Sequence, residues 1–172
     1  RLIDVWQGSE GLVIHIYVRG DGEYSSYTGE KEYAFVNKGS STKSDWVNNF
    51  QQPFGSSTDM KESVEKATYF VNGDWGKYEI TFIGHSKGGA EAAANAVSTN
   101  RNAILFNPAA VALNKYGLSA NAYSGDMTVY VVNGEPLNAL NSLLGSKAID
   151  KYETLPFYSW NPIKNHSMEA VK

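Results

Sequence analysis

The stretch Thr81-Phe82-Ile83-Gly84-His85-Ser86-Lys87-Gly88-Gly89-Ala90 passes from an apolar run into an alanine-rich one through glycines that surround a serine. A strand that turns straight into a helix leaves its pivot residue on a sharp bend. The residues two before and two after that pivot, Gly84 and Gly88, have no room for side chains. The pivot itself, Ser86, is left to project its hydroxyl from the end of the strand. Gly and Ser are abundant here, so the spacing alone proves little and the flanks must carry the argument.

They do. Tyr78-Glu79-Ile80-Thr81-Phe82-Ile83 has the composition of a strand. Residues 87–98 read as a helix of little bulk (Ala90, Ala92, Ala93, Ala94, Ala96), able to lie close over that strand. Ala103-Ile104-Leu105-Phe106 supplies another buried strand, so a parallel strand–helix–strand unit is expected. The plainer alternative is a glycine-rich turn whose serine only caps the helix.

Working outward, residues 12–19 alternate, with Leu12, Ile14, Ile16 and Val18 on one side and Val13, His15 and Tyr17 on the other. Residues 32–36 form a second early strand, and residues 44–50 a short helix around Trp46. A helix starts at Asp59, with Glu62 three residues on as in a capping box, and stops at Gly73. Its buried face is Met60, Val64, Ala67 and Val71. Thr128-Val129-Tyr130-Val131-Val132 reads as a buried parallel strand. Residues 137–144 suggest an apolar helix, residues 152–163 an aromatic, proline-broken stretch, and residues 165–171 a last helix. This alternation predicts an α/β fold with a mostly parallel central sheet flanked by helices. The two early strands add an antiparallel edge.

Composition excludes several classes of function. The 172 residues fit a single domain over 1–172, with 42% hydrophobic and 19% charged residues. A net charge of −3 without a basic run argues against nucleic acid as a partner. The chain has no cysteine, hence no disulfide, thiolate catalysis or cysteine-type zinc site. Its three histidines, His15, His85 and His166, form no metal-binding helix motif, so no metal or other cofactor is expected. No apolar run reaches membrane-spanning length. No signal peptide is visible, but a start at Arg1 rather than methionine admits excision from a longer protein. Cytoplasmic and secreted locations both stay open.

A serine hydroxyl becomes a nucleophile when a base takes its proton, usually a histidine held by a carboxylate. His166 is the one histidine after Ser86, so in the chain order serine, acid, histidine it is the base. The alternative is a solvated histidine near a fraying end. The acid belongs just past the C-terminal end of a later parallel strand, and Glu135 meets that demand. Asp126 precedes the same strand, at the opposite edge; Asp150 and Glu153 are the other candidates. Oxyanion donors are expected from the Lys87 N–H, at the start of the helix, and from Gly39-Ser40 after an early strand. The Lys87 side chain is expected to be a solvated ammonium.

The run Tyr33-Ala34-Phe35-Val36-Asn37-Lys38-Gly39-Ser40-Ser41-Thr42-Lys43-Ser44-Asp45-Trp46 resembles the oxyanion-loop signature of class 3 lipases and their bacterial relatives. In that signature an apolar strand leads to a glycine, with aspartate-tryptophan beginning six residues later, the interval kept from Gly39 to Asp45. The run from Thr81 to Ala90 is similar to the family's nucleophile elbow, with Lys87 where leucine is usual. Val129-Tyr130-Val131-Val132-Asn133-Gly134-Glu135-Pro136-Leu137 is similar to its strand ending in aspartate-proline-valine, with glutamate replacing the aspartate. The resemblance implies an α/β-hydrolase acting on acyl esters or lipids through an acyl-enzyme on Ser86. Glu135 and His166 complete the triad, Ser40 and Gly39 line the oxyanion hole, and Asp45, Gly84 and Gly88 support the site. It admits transient contact with a membrane surface. Two rival functions stay open: a catalytically inert binding module on the same fold, and an acyltransferase or thioesterase using the same triad.

Overall fold

The computed structural model describes residues 1–20, 31–38, 58–134 and 149–171. Its strands are β1 (Leu2–Gln7), β2 (Val13–Arg19), β3 (Glu32–Asn37), β4 (Glu79–His85), β5 (Asn102–Phe106), β6 (Met127–Val132) and β7 (Lys151–Leu155). They form one sheet in the order of the sequence. The pairs β1–β2 and β2–β3 are antiparallel, and every pairing from β3 to β7 is parallel. The expected α/β architecture, with antiparallel strands at the N-terminal side, is the one observed.

Parallel neighbours need a crossover, and successive crossovers of one hand deliver their connections to one face. Helices α1 (Thr58–Asn72) and α2 (Lys87–Thr99) accordingly pack against each other, and α2 against β3, β4 and β5. The alternation of each strand turns its apolar residues to this face. Ile16, Phe35, Phe82, Ala103 and Met127 form one continuous register row of fully buried side chains across five strands. The alanines of α2 are buried above them, which lets helix and sheet approach closely.

Three local expectations need correction. Glu62 does not close a capping box; its carboxylate accepts from the Ser9 N–H at 2.9 Å and from the Ser9 hydroxyl, tying α1 to the β1–β2 connection. Residues 152–163 are not irregular throughout, since they include most of the edge strand β7. The last helix, α3, is Pro162–His166, earlier and shorter than expected. The helices expected at 44–50 and 137–144 lie outside the described residues. Among the described residues no helix is long and apolar enough to cross a membrane.

Candidate active site

The elbow stands at the C-terminal edge of the parallel strands. β4 ends at His85, α2 begins at Lys87, and Ser86 between them has φ 57° and ψ −125°. Positive φ is unfavourable for a residue with a Cβ, so the surroundings must hold it. Hydrogen bonds do so on both sides. The Ser86 N–H donates to the Phe106 carbonyl at 3.2 Å, and its carbonyl accepts from Gly89, Ala90 and Ala109 N–H groups at 3.0, 3.2 and 2.9 Å. A Cβ on Gly84 would fall on the Gly88 carbonyl, and one on Gly89 would lie 2.7 Å from Pro108 Cβ. The close approach that the glycine pattern implied is present at Gly84, and Gly89 adds a second.

His166 closes α3 and is only 2% exposed. The alternative of a solvated terminal histidine is thereby excluded. Two side chains from the sheet edge hold its main chain. His85 Nε2 donates to the His166 carbonyl at 2.6 Å, with the two rings 5.0 Å apart. Asn107 Nδ2 donates to the Asn165 carbonyl at 3.0 Å, while Asn107 Oδ1 accepts from the Val132 N–H at 2.8 Å. The Asn165 side chain in turn bonds both main-chain groups of Ser159 at 2.7 Å. The ends of β4, β5 and β6 and the segment carrying His166 therefore meet at one rim.

His85 had no assigned role in the sequence reading. Donation to a carbonyl makes its Nε2 the protonated nitrogen. Burial, and then the charge of His166, push its pKa down to about 4. It is a neutral structural donor at neutral pH. The one signal for it was its position, directly before Ser86.

Glu135, Gly39, Ser40 and Asp45 lie outside the described residues. β6 ends at Val132, and the described chain continues through a turn to Gly134, whose φ is 82°. A Cβ there would come within 2.9 Å of both Asn165 Nδ2 and Phe157 Cε2. Gly134 thus lies beside Asn165, the residue that precedes His166. The rival carboxylates sit elsewhere. Asp126 and Asp150 precede β6 and β7, at the opposite edge, and Glu153 pairs with Lys151 at 2.9 Å within β7.

The Lys87 side chain departs from expectation. It is 16% exposed, its ammonium contacts the buried Asp59 carboxylate, and Glu91 Oε1 lies 4.0 Å away. As the first residue of α2, Lys87 also has a main-chain N–H without an intrahelical acceptor. Among the described residues no cluster of His, Asp or Glu is arranged to hold a metal ion.

The family model described as "Phospholipase-like: Tle-like phospholipase domain" matches residues 5–153. No curated protein matches the chain. Among solved structures, the native lipase propeptide complex of Rhizomucor miehei is 17% identical, with a TM-score of 0.52, over 81% of this chain and 51% of that one. A deletion mutant of the same complex is 18% identical, with a TM-score of 0.52, over 81% of this chain and 50% of that one. The chain thus spans about half the length of these structures. At that identity the likeness concerns the fold.

Proposed function

Because the chain belongs to the Tle-like phospholipase domain family, we propose that it is a serine hydrolase cleaving carboxylic esters of lipids through an acyl-enzyme on Ser86. The Ser86 hydroxyl attacks the ester carbonyl while His166 takes its proton, and the imidazolium then protonates the departing alcohol. Water, deprotonated by the same imidazole, attacks the acyl-serine. The carboxylic acid leaves as Ser86 recovers its proton. Glu135 orients the ring and stabilises its charged form. The N–H groups of Lys87 and Ser40 receive the oxyanion, with Gly39 and Asp45 shaping that loop. These steps call for no cofactor.

The observation that carries the reading is the backbone of Ser86, a non-glycine residue at φ 57° on the bend between β4 and α2. Strain of this kind persists where the surrounding structure over-determines it, and it concentrates at functional sites. The finer kinship with class 3 lipases rests on the motifs around Gly39, Ser86 and Glu135. The lipid partner has its own support. Residues 156–161, between β7 and α3, carry no charge, and they expose Phe157, Tyr158 and Trp160, the last 94% accessible. Ser159 in the same loop is bonded to Asn165, next to His166. Amphipathic aromatic rings suit the water–lipid boundary.

The test is release of fatty acid from phosphatidylcholine in mixed micelles. The parent protein releases it, and Ser86→Ala, with an unchanged Tm, does not. Equal release by both proteins contradicts the reading.

A further inference from the structure

Polar side chains from three elements meet between α1, α2 and the end of β3. They are Asn37 at the end of β3, Asp59 and Ser63 of α1, and Lys87, Glu91 and Asn95 of α2. All except Lys87 are buried. Asn37 Nδ2 donates to Ser63 Oγ at 3.0 Å and to Glu91 Oε2 at 3.2 Å, and Asn95 Nδ2 donates to Ser63 Oγ at 2.9 Å. Asp59 Oδ1 accepts from the Met60 N–H at 2.8 Å, and its other oxygen contacts the Lys87 ammonium. The sheet register sets Asn37 beside Gly84, two residues before Ser86.

This cluster runs against ordinary preference twice. A cation at the first position of a helix opposes the helix dipole. A buried ion pair rarely stabilises a fold more than apolar packing of the same volume would. Its distinctive property is direction: a buried network of polar and ionic contacts fixes relative position in a way that apolar contacts do not. We infer that Lys87 is a positioning residue whose ammonium, held against Asp59 with Glu91 Oε1 4.0 Å away, fixes the elbow relative to α1 and the end of β3. The main-chain N–H expected to receive the oxyanion belongs to the same residue. The strand end tied to it is the one from which the Gly39-Ser40 segment departs. The cluster therefore joins the elbow to the strand end that precedes Gly39-Ser40 in the sequence. This inference rests on the hydrolase reading above and assigns to it side chains that reading does not use.

Charge balance agrees with this geometry. Burial, only partly offset by the charge of Lys87 and a hydrogen bond from Asn37, raises the Glu91 pKa to about 7. The charged groups facing Glu91 are Lys87 on its own helix and, through that ammonium, Asp59 of α1. With Glu91 protonated, the Lys87–Asp59 pair is neutral as a unit.

The experiment compares the parent, Lys87→Met, Asp59→Asn and the double variant Lys87→Met/Asp59→Leu. Readouts are Tm, kcat and KM on a short, soluble p-nitrophenyl ester, and the rate of labelling by a fluorophosphonate. Lys87→Met leaves a buried carboxylate without its ammonium and lowers Tm; the double variant removes both charges and recovers it. Both variants are expected to lose kcat and labelling rate by about 10- to 100-fold, with KM within about two-fold. If Lys87→Met does not fold, the double variant and the isosteric Asp59→Asn carry the same expectation. A folded double variant with parental kcat overturns the inference, as does a folded Lys87→Met that labels at the parental rate. A parent protein that neither labels nor turns over ester contradicts the hydrolase reading itself, and the positioning role falls with it.

Discussion

His85 Nε2 donates a 2.6 Å hydrogen bond to the main-chain carbonyl of His166, across 81 positions of sequence. The residue before the candidate nucleophile thus holds the backbone of the candidate base. Because the bond ends on a carbonyl, it anchors α3 while leaving the His166 imidazole to its own partners. The donor stays neutral because burial and the neighbouring ring disfavour its cation. Neutrality matters at this spot, since a charged His85 would repel the imidazolium that the proposed reaction forms on His166.

Removing that donor is expected to act on rate more than on fold. His85→Phe keeps an aromatic ring under α3 but releases the His166 carbonyl. Turnover of a soluble p-nitrophenyl ester should fall about ten-fold or more, with KM little changed, as for a base displaced by a fraction of an ångström. Parental kcat in a folded His85→Phe protein would show that the latch does not serve catalysis.

Two groups, the part-buried His85 and the buried Glu91, should oppose each other in the pH dependence of stability. Between about pH 4 and 6.5 the unfolded chain binds more protons at His85 than the folded one, so this group stabilises progressively as pH rises. Glu91 has the opposite sign. Between 4.5 and about 7 the folded state binds more protons there, so stability from this group declines as pH rises. Glu91→Gln removes only the second contribution. Its Tm relative to the parent should therefore climb from pH 5 to pH 7. A difference constant across that window would mean that Glu91 titrates normally.

The exposed aromatic loop should meet lipid. Trp160 emission is expected to shift to the blue and to be quenched when phosphatidylcholine vesicles with brominated acyl chains are added. The quenched component should be missing in Trp160→Phe. The same substitution should lower hydrolysis of vesicle lipid several-fold and leave a soluble ester unaffected. Identical quenching in the parent and in Trp160→Phe would rule out this loop as the contact.

What the sequence revealed follows from which faces are buried. Residues 12–19 and the β4–α2–β5 unit carry strong periodicity because one side of each is sealed against the core. Strands β1 and β7 were not legible for the opposite reason. They are the sheet edges, largely exposed on both faces, and LIDVWQ and KYETL show no alternation that burial would impose. At the site, Gly84 and Ser86 announced themselves through local sterics. The His85–His166 bond could not, because a side chain reaching a distant carbonyl leaves no pattern at either end. Lys87 lies between these cases. Glu91, four residues on, was a readable partner, whereas Asp59 comes from another helix and is brought near only by the packing of α1 on α2.

The central claim, that Ser86 is a nucleophile activated by His166, is tested most directly by fluorophosphonate labelling followed by peptide mapping. The parent should carry the adduct on Ser86, and His166→Ala should label at least about a hundred-fold more slowly with its Tm preserved. An adduct absent from Ser86, or equally fast labelling without the imidazole of His166, would contradict it.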